Sequence, residues 1–169
     1  MAIVITKEVA VKDLLIEEIK ALKQTKDEVF EYFISHNLSK TAISYITRLW
    51  DYTKDVAGSV VSIGKIIVMK IINFIKENPN MAFGAALGAI AGAMAGTFVG
   101  WIPFIGQALS VLSITGGMMM GAIAGDRMDR AEKGEFVDDG LLAVFGDTIS
   151  IAKKFIKLFA EIIQAIRDN

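Results

Sequence analysis

Apolar residues recur at helical spacing along most of this chain, and the pattern predicts helices almost from end to end. A first helix is expected over about Lys7–Gln24, with Val11, Leu15, Ile19 and Leu22 on one face. Thr25 and Glu28 have the spacing of a capping box, which opens a short second helix carrying Val29 and Phe33. Asn37 suits a left-handed helix end, and Ser39 suits the N-cap of the next helix. Ile46, Leu49, Val56, Val60, Ile63 and Ile67 then continue the spacing, so one long helix is expected over about Lys40–Glu77. Gly58 and Gly64 are the points where it would bend or break, each costing about 1 kcal/mol relative to alanine. Asn78-Pro79-Asn80 ends it, because proline disfavours helix in the residue before it.

The pattern changes at that point. From Asn78 to Gly125 no residue is charged. Glycine falls at every fourth position in Gly84, Gly88, Gly92, Gly96 and Gly100, and again in Gly117, Gly121 and Gly125. Residues four apart share a helix face, so each run forms a smooth stripe that lets another backbone approach closely. Between the runs, Trp101, Pro103 and Gly106 lie in a natural reversal. The stretch therefore predicts a hydrophobic helical hairpin over 81–125, with arms Met81–Gly100 and Ile105–Gly125. Each arm would be about 30 Å long, roughly one hydrocarbon thickness.

Charge returns at Asp126-Arg-Met-Asp-Arg130, and a polar segment leads to the last predicted helix, about Gly140–Arg167. There Leu142, Phe145, Ile149, Ala152, Ile156, Phe159, Ile163 and Ile166 alternate spacings of three and four. Lys153, Lys154, Lys157, Glu161 and Gln164 take the opposite side. The fold class expected is all-α: one domain over 1–169, with amphipathic helices in 1–77 and 140–168 around a central glycine-rich hairpin.

Composition narrows the function. A net charge of −1 gives no basic face for nucleic acid. There is no cysteine and one histidine, so a catalytic triad or a zinc site lacks parts. His36 sits at a predicted helix end and reads as a cap, and Asp126 and Asp129 read as a solvated helix end. Gly84-x-x-x-Gly88 is not a phosphate loop, because no Gly-Lys-Ser/Thr follows. No enzyme and no cofactor are expected. The opening residues lack the basic and long apolar segments of a signal peptide.

Amphipathic helices, then the Met81–Gly125 hairpin with Ile102-Pro103-Phe104-Ile105-Gly106 at its tip, then one closing amphipathic helix: this layout resembles the pore-forming domain of colicins. That family folds as a helical globule around a hydrophobic hairpin, which inserts when it meets a membrane. The resemblance covers most of the chain and rests on layout, not on a sequence-specific motif. Colicin domains carry more helices, and the whole toxins have receptor-binding and translocation segments that find no counterpart here.

The resemblance implies a membrane-inserting, pore-forming or membrane-depolarising protein with the lipid bilayer as its partner. It would be membrane-associated and would self-assemble through its glycine faces. The alternative is a non-toxic, hairpin-anchored scaffold or assembly subunit that binds a protein partner. A third reading is a soluble helical oligomer packed through the glycine stripes.

Overall fold

The computed structural model describes residues 5–114 and 140–168. Helices dominate it: α1 (Lys7–Ala21), α2 (Lys26–Ser35), α3 (Lys40–Trp50), α4 (Ile63–Glu77), α5 (Phe83–Phe98), α6 (helical over 105–114) and α7 (Gly140–Arg167). One small hairpin, β1 (Lys54–Val56) and β2 (Ser59–Val61), interrupts them. The all-α expectation holds, apart from this two-stranded element.

The local signals behave as their chemistry requires. Thr6 caps α1, with its hydroxyl accepting from the Val9 amide. Thr25 and Glu28 form the full capping box of α2, the hydroxyl accepting from the Glu28 amide and the carboxylate from the Thr25 amide. Asn37 adopts the left-handed conformation at φ 59°, and Ser39 caps α3 through the Ala42 amide. His36 is the C-cap residue of α2. Its Nδ1–H donates to the Tyr32 carbonyl at 2.8 Å, and its ring stacks on Phe83.

The long helix expected over 40–77 does not exist as one element. α3 stops at Trp50, β1 and β2 reverse the chain, and α4 starts anew at Ile63. Ala57 and Gly58 both have positive φ, the geometry of a two-residue type I′ turn, whose twist matches that of paired strands. Asp55 Oδ1 accepts from the Gly58 amide and holds the turn. Val56 and Val61 point inward while Val60 lies in solvent, the alternation of a strand with one buried face.

The reversal lets α4 back onto the end of α3. The Gly64 amide donates to the Tyr52 carbonyl at 3.0 Å. A Cβ on Gly64 would overlap the Leu49 carbonyl oxygen and lie 2.7 Å from its carbon. Only glycine allows this approach.

The first helix also turns a different side inward than expected. Ala10, Leu14 and Ala21 are buried, Val11 and Leu15 are partly buried, and Ile19 and Leu22 are exposed. Small Ala10 and Ala21 let α1 approach α4 and α7 closely, so the bulkier residues are left on the outer face. On α7 the predicted face is buried through Ala152, Ile156, Phe159, Ile163 and Ile166, although Ile149 is exposed.

The uncharged stretch does fold back on itself. The Asn78–Asn80 break ends α4 as expected, and α5 follows. Gly100 takes φ 88°, Trp101 and Ile102 amides bond to the Phe98 carbonyl, and α6 then begins. Gly106 meets Val99 and Gly92 faces Ser113, which is the register of two antiparallel arms.

The described part of this hairpin, α5 and residues 105–114, is largely buried. Leu87, Ile90, Met94 and Phe98 of α5 are fully buried, as are Ile105, Leu109 and Leu112 of α6. α5 packs most extensively on α7 and also on α4. Phe98 meets Phe159 of α7 at 5.7 Å, and Phe74 of α4 meets Phe155 of α7 at 5.4 Å. Among the described residues no helix is long and apolar enough to cross a membrane. α5 has 16 residues, about 24 Å against the roughly 30 Å of hydrocarbon. That finding corrects the expectation of a pore-forming, membrane-inserting protein: the described helices do not supply the spanning arm it requires.

Candidate functional site

The glycine stripe of α5 does not run straight. Four residues turn a helix by about 400°, so glycines spaced by four drift about 40° per step around it. The structure shows the consequence. Gly84 is buried, Gly88 is half-buried, and Gly92, Gly96 and Gly100 are exposed. The stripe starts in the core and winds out to the surface. Gly117, Gly121 and Gly125 lie outside the described residues.

Where the stripe emerges, α5 and α7 leave a groove of about 430 Å³ between them. Its floor is apolar and shallow, with Ala93, Gly96, Ile156 and Ala160, and Thr97 stands beside them. Lys153, Lys157, Glu161 and Gln164 of α7 form one rim. None of the three charged rim residues is ion-paired among the described residues.

Among the described residues, packing does not demand the glycines here. A Cβ on Gly96 would meet no atom within 4 Å, and one on Gly92 would meet only Ser113 Oγ at 4.0 Å. A glycine inside a helix costs up to roughly 0.5–1 kcal/mol relative to alanine, and no contact among the described residues accounts for it at Gly96, in the last turn of α5. Gly106 is different: its Cβ would touch Val99 at 3.7 Å, an ordinary contact inside the turn.

The tip residues are docked, not projecting. Ile102 is buried, Trp101 and Phe104 are half-buried, and Pro103 is exposed in the turn. Lys54 of β1 donates to the Trp101 carbonyl at 3.1 Å, with its ammonium 4.9 Å from the Trp101 ring centroid. Phe104 packs edge-on against Tyr52 and lies under Arg48. Arg167 at the end of α7 donates to the Thr97 carbonyl at 2.9 Å. α5 has no charge of its own, so two cations from other elements meet its C-terminal end, where the helix dipole favours them. Sequence patterning gave no sign of these contacts, because the partners are 47 and 70 residues apart.

Elsewhere the polar groups are structural. Glu18 of α1 accepts from the Ser62 amide at 2.7 Å, which places a carboxylate at the start of α4, where the Ser62 side chain makes no capping hydrogen bond. Glu17 pairs with Lys70 of α4 at 2.9 Å. A second, polar depression is lined by Lys23, Glu28, Glu31, Tyr32, Ser35 and Lys76. Burial pushes the Tyr32 phenol above its ordinary value, and Lys76 lies over its ring. Ser35 Oγ lies 3.2 Å from His36 Nδ1 but donates to the Tyr32 carbonyl at 2.7 Å, and the His36 Nδ1–H is bonded to the same carbonyl, so both groups serve the end of α2. Among the described residues no cluster of His, Cys, Asp or Glu could hold a metal ion.

Comparison with protein-family models, with curated proteins and with solved structures finds no match to this chain. The groove therefore has to be read on its own chemistry.

Proposed function

We propose that this chain is a non-enzymatic assembly subunit that associates with itself through the groove between α5 and α7. The observation that carries the proposal is Gly96: a glycine in the last turn of α5, exposed, with no atom among the described residues within 4 Å of where its Cβ would stand. A glycine that its own fold does not need is explained by a helix from another molecule crossing α5 at close range. Small residues permit such an approach, and the gain is van der Waals contact along the backbone. The apolar floor supplies burial, and the charged rim stays at the edge of the contact.

Sedimentation velocity over a wide concentration range tests this with wild type and Gly96→Leu. Wild type should associate as concentration rises. Leucine at position 96 fills the groove without meeting a neighbour near its Cβ, so the variant should keep its thermal stability and lose association. Wild type that stays monomeric throughout would overturn the proposal, as would a Gly96→Leu variant that associates equally well.

A further inference from the structure

The groove has a counterpart elsewhere on the same chain. The outer face of α1 holds Val9, Ile16, Ile19 and Leu22 at 48%, 50%, 61% and 51% exposure. Leu15 is half-buried beside them. They follow one another at helical spacing and form a ridge, with Lys12 and Lys23 on the same side. Large apolar side chains this exposed are ordinary singly but not in a row along one helix. Among the described residues nothing fills either the ridge or the groove: Ile19 is 61% exposed and a Cβ on Gly96 would meet no atom within 4 Å.

We infer that the occupant of the α5–α7 groove is the α1 ridge of a second copy, so that copies join head to tail. This rests on the self-association proposed above and names the surfaces that meet. The shapes correspond: a row of branched side chains faces a floor of Ala93, Gly96, Ala160 and buried Ile156, as ridges enter grooves where helices pack. The lengths correspond too. Val9 to Leu22 spans about 20 Å of helix, and the groove wall from Lys153 to Gln164 about 17 Å.

Charge sets the direction. Along one edge of the ridge the order is Asp13 and then, two turns later, Lys20. Along the groove rim it is Lys153, Lys157 and then, about two turns after Lys153, Glu161. With α1 parallel to α7 of its neighbour, both ends place opposite charges together. The antiparallel placement would set Lys20 against Lys153. Lys20 is held only by a 3.5 Å surface contact to Glu17, so it is available to re-pair.

A ridge meeting a different surface is a heterologous contact, which propagates into open chains or rings instead of stopping at a pair. That gives a decisive mixing experiment with Ile19→Glu, which spoils the ridge, and Gly96→Leu, which fills the groove. Both positions are exposed, and circular dichroism should show both variants folded. If Ile19→Glu proves unfolded, Ile16→Lys replaces it.

In sedimentation velocity, wild type should form species larger than two chains. Each variant alone should lose association by about tenfold or more. An equal mixture should recover a complex of two chains and nothing larger, because one good ridge then meets one good groove. A monomeric wild type would overturn self-association and this inference together. If wild type assembles and the ridge variant assembles as well as it does, self-association stands and the ridge is not its partner surface. A mixture that stays monomeric, or grows beyond two chains, also overturns the ridge-in-groove arrangement.

Discussion

Gly64 at the start of α4 and Gly96 near the end of α5 are both helical glycines among apolar neighbours, yet the structure uses them in opposite ways. At Gly64 the missing side chain is filled by the end of α3, with the Leu49 carbonyl where a Cβ would stand. At Gly96 it is filled by nothing among the described residues. Gly58 is a third kind: open space surrounds it, but its φ of 83° is one that other residues rarely adopt. The same residue type thus marks a close internal contact, an unforced surface and a backbone turn. Only the first and third are explained by this chain's own fold.

The comparison makes graded predictions. Gly64→Ala should be the most damaging, since backbone atoms cannot rotate away as a flexible side chain can. A loss of about 3 kcal/mol or more is expected, at or above the top of the usual range for overpacking. Urea denaturation would measure it, and near-wild-type stability would show that the α3–α4 junction is looser than described. Gly58→Ala should cost about 1–2 kcal/mol, from the left-handed backbone alone, with no change in the core. Differential scanning calorimetry should place its loss clearly below that of Gly64→Ala.

Gly96→Ala should move in the other direction. Alanine relieves the backbone entropy cost of glycine and meets no neighbour, so a gain of about 0.5–1 kcal/mol is expected in thermal melting of the dilute protein. A destabilised Gly96→Ala would mean that position 96 is packed after all and would end the contrast with Gly64. The smallest effect expected is Glu18→Gln. It keeps an oxygen near the Ser62 amide but removes the charge at the α4 N-terminus and should cost about 0.3–1 kcal/mol, more at low than at high salt. Equal losses at both salt concentrations would show that the Glu18 charge plays no part.

These differences mark the reach of sequence reasoning. The Thr25–Glu28 box, the left-handed Asn37, the Ser39 cap and the break at Asn78–Asn80 were all legible, because each depends on residues within a few positions of one another. The break between α3 and α4 was only half legible. Gly58 and Gly64 were visible as weak points, but Val56, Val60, Ile63 and Ile67 keep a helical spacing across it. The hairpin forms because Ala57–Gly58 turns the chain and Gly64 accepts the end of α3. The face of α1 was misread because that helix is apolar on two sides, and spacing cannot say which of them the core will take. The groove was partly foreshadowed by the glycine stripe. Its emergence on the surface beside α7 depends on the drift of the stripe around α5 and on where α7 packs.

What the sequence by itself determined was the helical character, the caps, and a central uncharged pair of helices that water would not tolerate exposed. What only the tertiary structure decided was what covers that pair. Hydropathy measures the cost of leaving apolar groups in water, and a protein interior and a lipid chain relieve that cost alike. In this chain α4 and α7 cover α5, so its apolar side chains became core. Gly92 and Gly96 of α5 were left exposed where the stripe turns out of that core.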